Sequence, residues 1–158
     1  KGPVYLRGVR EGTPNFTTEK TPFEVEKAQL LRDGKDVTAI GHGYMVYWLL
    51  QIAEELKSKI SIEVINLHTI KPLDEKTILK SAKKTGRVFC AEDHNIVGGM
   101  GSAVAEFLSQ NHPVPMKLHG VYDQFCESGT PKDLWKKYKL DKEGTKSTLL
   151  QWLQYAMV

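Results

Sequence analysis

Three sets of residues, the first a pair of turns, combine types and spacings that can do chemistry. Gly41-His42-Gly43 and Gly98-Gly99-Met100-Gly101-Ser102 are glycine-rich turns, each between an apolar run and a helical pattern. In an open α/β sheet, ligands bind beyond the carboxyl ends of the strands, where a helix start offers free N–H groups to an anion. The backbone of Gly41, Gly43, Gly99, Gly101 and Ser102 is therefore a candidate anion site. A nucleotide-binding domain is one reading of it. Neither turn completes Gly-x-Gly-x-x-Gly, however, and the acidic residue due about 20 positions after the first turn is matched only by Glu63. The same glycines would equally serve tight strand-to-helix turns.

The second set is Glu92-Asp93-His94, closing an apolar run. Three polar groups at a strand end can act as an acid/base cluster, or bind the following loop. No nucleophile accompanies them, so with His42 they are read as an interface or the rim of an active site. The third set is Arg7-Gly8-Val9-Arg10. Two arginines three apart can grip a phosphate, because the guanidinium fork donates parallel hydrogen bonds. No residue in the chain is assigned as a catalytic group. Cys90 and Cys126 form no Cys-x-x-Cys and have no His pair at ligand spacing, so no metal site is expected. Cys90, in an apolar run, reads as a small core residue.

The elements that must hold these residues alternate. Short strands are predicted at 3–9, 26–31, 37–40, 62–67, 87–92 and 114–119. Helices are predicted at 43–58, 74–84, 100–110, from Thr130-Pro131 onward, and at 145–157. Met45, Val46, Leu49, Leu50, Ala53 and Leu56 share one face of the first helix, and Met100, Ala103, Val104, Phe107 and Leu108 share one face of the third. Leu149, Leu150, Leu153, Ala156 and Met157 line the last. Asp74 and Thr130 are N-cap types, and Pro131 suits a first helical position. Such alternation argues for a mostly parallel sheet covered on both faces. The turn Asp33-Gly34 makes the strand at 26–31 an antiparallel edge.

The 158 residues suffice for one domain with a core. The net charge of +3 is scattered; Lys83-Lys84, Lys136-Lys137 and Lys139 read as solvated helix faces. No stripe of Lys and Arg with stacking aromatics suggests nucleic acid, and no apolar run is long enough for a membrane span. Two unpaired cysteines fit a reducing, cytoplasmic setting. The chain begins at Lys1 and runs at once into Val4-Tyr5-Leu6-Arg7, as expected of a segment cut from a longer protein.

Read in order, the pieces resemble the C-terminal domain of the transketolase family of thiamine-diphosphate-dependent enzymes. The matching stretches are Gly2-Pro3-Val4-Tyr5-Leu6-Arg7, Gly34-Lys35-Asp36-Val37-Thr38, Thr69-Ile70-Lys71-Pro72-Leu73-Asp74, Thr85-Gly86-Arg87-Val88, Glu92-Asp93-His94-Asn95, Gly98 to Ser102, and Ser128-Gly129-Thr130-Pro131 with Leu134. The resemblance implies an α/β/α three-layer domain with a five-stranded, mostly parallel sheet and one antiparallel edge strand. Residues 1–23 would be the end of a preceding pyrimidine-binding domain and a linker; residues 24–158 would be the C-terminal domain. It implies a parent enzyme that moves a two-carbon ketol unit between sugar phosphates of the pentose phosphate pathway. Thiamine diphosphate and Mg²⁺ would be held by the preceding domains or subunit and none by this segment, which would be inactive alone, and the parent would be a homodimer. Arg10 would contact the substrate's phosphate. Deoxyxylulose-phosphate synthases, and the beta subunits of 2-oxo acid dehydrogenases that dock an acyltransferase, resemble the chain at Lys71-Pro72-Leu73-Asp74 and stand as alternatives.

Overall fold

The computed structural model describes residues 2–9 and 12–155. Strand β1 (Gln29–Arg32) leads through a tight turn to β2 (Val37–Gly41), helix α1 (Tyr44–Glu55) and β3 (Ile62–Asn66). Then follow α2 (Glu75–Thr85), β4 (Val88–Asn95), α3 (Met100–Asn111), β5 (Met116–Val121), α4 (Pro131–Lys137) and α5 (Lys142–Tyr155). The five strands lie in the order β1-β3-β2-β4-β5. β2 is parallel to β3 and β4, β4 is parallel to β5, and β1 is antiparallel to β3 at the edge.

The two central strands carry no polar-out alternation, because helices cover both faces: every residue of β2 and β3 is buried. Val37, Ala39, Val64, Phe89 and Ala91 point toward α1 and α5. Ile40, Ile65, Val88 and Cys90 point toward α2 and α3. That is the expected three-layer architecture. Cys90 sits in the core, where burial, with Glu92 adding, pushes its thiol pKa far up.

Helix ends follow local chemistry. Asp74 caps α2, accepting from Thr77 N at 3.2 Å, and Gly86 closes it at φ 70°. Burial alone would raise the pKa of the Asp74 carboxyl, but the hydroxyl of Thr77 and the amides of Ala28 and Thr77 hold it below the usual range. Thr130 Oγ1 accepts from Asp133 N, and Pro131 opens α4.

Four expectations need correction. Residues 3–9 form no strand and are exposed: β1 and β5 are the sheet edges and neither pairs with them, and an extended run without a partner leaves its backbone groups to water. β4 runs on to Asn95, past the expected end at 92, because it continues beside β5 through an irregularity. α5 begins at Lys142, three residues early, where Asp141 Oδ1 accepts from Gly144 N at 2.9 Å. On the helix faces, Ile52 is buried and was not expected, whereas Leu50, Leu56, Ala103 and Phe107 are only partly buried. Ala156 and Met157 lie outside the described residues.

Candidate functional site at the carboxyl ends of β2 and β4

The chain leaves β2 toward β3 and leaves β4 toward β5, on opposite sides of the sheet. Between those two strands the order reverses, which is where open α/β sheets leave a crevice. His42, half-buried, stands in that crevice between two clefts. One, of about 350 Å³, is lined by His42, Ile70, Glu92, His94 and the start of α3. The other, of about 430 Å³, is lined by Val9, Phe16, His42, Tyr44, Asp93 and Trp135.

The Glu92-Asp93-His94 run occupies a break in the β4·β5 ladder. Ala91 pairs with His119 and Asn95 with Val121, so three residues of β4 face the single residue Gly120. A Cβ on Gly120 would meet His94 O at 2.6 Å; glycine makes room for the bulge. Bulges re-aim side chains, and this one splits the run. Glu92 and His94 line the cleft on the α3 side and Asp93 the other, with His42 common to both. The three do not converge as one acid/base cluster.

Glu92 is 1% exposed. Its Oε2 accepts from Met100 N at 2.8 Å and its Oε1 from Gly101 N at 2.9 Å. The carboxylate satisfies the first amides of α3 and suits the positive end of the helix dipole. A Cβ on Gly99 would lie 2.1 Å from Oε2, so the glycine turn exists to admit this side chain. Ser102 Oγ is engaged too, accepting from Gly98 N and donating to Ile96 O. At this turn the anion is therefore the protein's own Glu92, which takes the amides of Met100 and Gly101. The turn at Gly41–Gly43 differs. Gly43 has φ 55°, no side chain among the described residues caps α1, and no acidic residue sits in its first turn.

Beside that turn the structure assembles an aromatic cluster that the sequence reading missed. Tyr44 lies 4.4 Å from Trp135 and 5.2 Å from Trp48, ring centre to centre, with Tyr47 at 6.2 Å. Burial raises the pKa of the Tyr44 hydroxyl, with Tyr47 adding. The spacing of Tyr44, Tyr47 and Trp48 at i, i+3 and i+4 was the available signal; the approach of Trp135 had none.

One further reading changes. Glu63, the acid matched to a nucleotide site, lies near the start of β3, away from the crevice. It is buried, takes a hydrogen bond from Thr38 Oγ1 at 3.1 Å and pairs with Lys84, which also reaches Asp33 at 2.7 Å. His119 is buried, stacks on Phe89 at 5.7 Å and reaches Thr145 Oγ1 at 3.2 Å. Burial drives its pKa down to about 4; the Lys139 main chain opposes this and Lys117 adds to it. Arg10 lies outside the described residues, while its neighbours Val9 and Gly12 line the second cleft.

The described residues do not fit thiamine diphosphate and its metal. They contain no group of three His, Cys, Asp or Glu that could hold a metal ion, and at α3 a diphosphate would have to displace Glu92. No helix among them is long and apolar enough to cross a membrane.

The family model described as transketolase, C-terminal domain, matches residues 26–144. The chain is 46% identical over 140 residues to the 6-deoxy-6-sulfo-D-fructose transketolase subunit SqwH of Clostridium sp. (strain MSTE9), covering 88% of this chain and 44% of that one. It is 40% identical over 148 residues to a 1-deoxy-D-xylulose-5-phosphate synthase of Desulfitobacterium hafniense (strain DCB-2), covering 90% of this chain and 23% of that one. Among solved structures, a split-gene transketolase described as an inactive beta4 tetramer superimposes with a TM-score of 0.86 at 35% identity, covering 93% of this chain and 48% of the other. The chain spans about half the length of the curated transketolase subunits it matches.

Proposed function

Because the chain belongs to the transketolase C-terminal-domain family, we propose that it is the C-terminal domain of a thiamine-diphosphate-dependent transferase moving a two-carbon ketol unit between anionic sugars. The observation that carries this is the 46% identity to a transketolase subunit about twice this chain's length. The cofactor, with Mg²⁺, supplies the carbanion chemistry from another domain. This domain contributes no group to bond breaking. Its task is to complete the assembly and to present Arg10, whose neighbour Val9 lines the cleft with His42 and Asp93, to the anionic end of the sugar. A bidentate arginine serves a phosphate well, and by the same geometry a sulfonate, the group borne by the sugar in the name of the Clostridium relative. Binding energy there positions the reacting carbonyl. The same reading makes the parent a cytoplasmic homodimer.

The test is turnover by the full-length protein with thiamine diphosphate and Mg²⁺, offering xylulose 5-phosphate and 6-deoxy-6-sulfofructose as donors. Arg10→Ala should lower kcat/KM for such donors by roughly 10- to 150-fold, the worth of a charged hydrogen bond of about 1.5–3 kcal/mol, and should barely affect an unphosphorylated donor. Equal losses for both kinds of donor would remove the anion-binding role. The 40% identity to a deoxyxylulose-phosphate synthase supports a second reading. Condensation of pyruvate with glyceraldehyde 3-phosphate, and no ketol transfer, would select it.

A further inference from the structure

The amino end of the sheet, opposite His42 and the two clefts, holds a cavity of its own, of about 320 Å³. The starts of β2 and β4, the link from α1 to β3 and the last turn of α5 converge on it. Part of its lining is apolar: Ile60 is half-buried and Leu153 buried. The charged groups around it are Lys35, Lys59, Arg87 and Asp36. Three cations thus face one acid, and that acid is engaged, since Asp36 Oδ2 accepts from Ser61 N at 2.7 Å. A concave surface dominated by one sign of charge concentrates counter-ions. An apolar wall with a few convergent polar groups suits a small organic ligand.

Several lysines elsewhere on the domain are matched with acids. Lys57 pairs with Glu54, Lys84 with Asp33 and Glu63, Lys137 with Glu127, and Lys142 and Lys146 with Glu55. None of Lys35, Lys59 and Arg87 has an ion-pair partner among the described residues; water satisfies them. Their main chain is nevertheless fixed. The Arg87 carbonyl accepts from Thr38 N at 3.0 Å and from Thr85 Oγ1 at 3.1 Å. Lys35 N donates to Ser61 O at 3.2 Å, and Lys59 N to Leu56 O at 2.8 Å. Cations carried on a pinned backbone lose less freedom when they close on a ligand.

We propose that this cavity binds a phosphate monoester with a compact apolar body. The Arg87 fork takes two phosphate oxygens in parallel hydrogen bonds, a geometry that an ammonium cannot supply. Lys35 and Lys59 balance the remaining charge as point cations, and Ile60 and Leu153 receive the hydrocarbon part. A ligand held in this way ties α5 to the starts of the two central strands, segments far apart in the sequence that meet only in the fold.

Titration calorimetry of the full-length protein with phenyl phosphate, glycerol 1-phosphate and inorganic phosphate tests this. The variants are Arg87→Gln, Lys59→Gln and, as a control on α4, Lys132→Gln. Lys59 is exposed, so its variant reads the cavity even where Arg87→Gln disturbs folding. The expected result is a phenyl phosphate site roughly 5-fold or more tighter than that for glycerol 1-phosphate, from the apolar area covered. Each cavity variant should weaken it roughly 10-fold, as the loss of a charged hydrogen bond does, and Lys132→Gln should leave it unchanged. No binding at millimolar phenyl phosphate overturns the proposal. Equal affinity for all three phosphates overturns it as well, leaving a basic patch that does not read the apolar wall. Binding that neither cavity variant weakens lies elsewhere on the protein and overturns it too.

Discussion

The two ends of the sheet solve opposite problems. At the amino end the chain closes itself. The buried Glu63 meets Lys84 and the Thr38 hydroxyl, and Thr38 in turn lies 2.7 Å from Thr85 Oγ1. Asp36 Oδ2 accepts from Ser61 N at 2.7 Å, and the outer groups are lysines and acids that water satisfies. At the carboxyl end the chain is held open: a bulge in β4, one glycine turn filled by Glu92, another filled by none of the described residues, and apolar side chains facing outward. Polar groups that find partners within a few residues of the fold finish a surface. Apolar groups left outside, beside a helix start that no described side chain caps, leave a surface that the domain does not finish by itself.

Four substitutions or conditions sharpen that contrast. The largest effect is expected at Glu92, which belongs to the open end but acts as a structural cap. Glu92→Ala strands two buried amides at the start of α3 and should destabilise the domain by about 3–5 kcal/mol, given about 1.5–3 kcal/mol per hydrogen bond to a charged group. Chemical denaturation of wild type and variant measures it; a loss under about 1 kcal/mol would mean that water replaces the carboxylate freely.

Next is the closed end. Lys84→Met leaves Glu63 buried without its cation and should cost about 3 kcal/mol. Adding Glu63→Met should recover most of that loss, since a buried pair exchanged for apolar groups is close to neutral. A double variant no better than the single one would show that Thr38, not charge, sets the local stability.

Acid should act between the two, at the clasp of β5 on α5. His119 is neutral when folded, with a pKa near 4 against 6.5 unfolded. The unfolded chain therefore binds the extra proton first, and stability falls as pH drops from about 6.5 toward 4. A shift of that size corresponds to about 3 kcal/mol once both states are protonated. Unfolding curves for wild type and His119→Gln should differ in slope across that window and run parallel above pH 7.

The smallest effect separates the two glycine turns. Gly43→Ala meets nothing within 4 Å and bears only the strain of φ 55°, about 1–2 kcal/mol. Gly99→Ala drives a methyl into Glu92 and should cost more, about 2–3 kcal/mol. Equal melting temperatures for the two variants would remove the distinction between a filled turn and an open one.

Much of the architecture was legible without coordinates. Asp74 with Pro72, and Thr130 with Pro131, announced helix starts through local hydrogen-bonding chemistry. The apolar runs around Ile40, Ile65 and Cys90 read as strands covered on both faces. The faces of α1 and α3 were less well resolved, because Ile52 and Phe107 both fit the period and only packing against neighbouring elements assigns one to the core and leaves the other half-buried. For the same reason Phe107→Ala should cost about 2 kcal/mol, below the full cost of a buried aromatic.

What the sequence by itself determined are properties that neighbours along the chain impose: alternation of strands and helices, caps, turns, and the motif order that resembles one family. What only the tertiary structure decided are relations between residues far apart. Glu92 fills the turn at Gly99 because the end of β4 and the start of α3 are brought face to face. Glu63 answers Lys84 rather than a ligand because β3 lies beside the last turn of α2. His42 stands between two clefts because the strand order reverses between β2 and β4. Periodicity and composition carry no record of such encounters. They arise when packing sets which strand ends lie together.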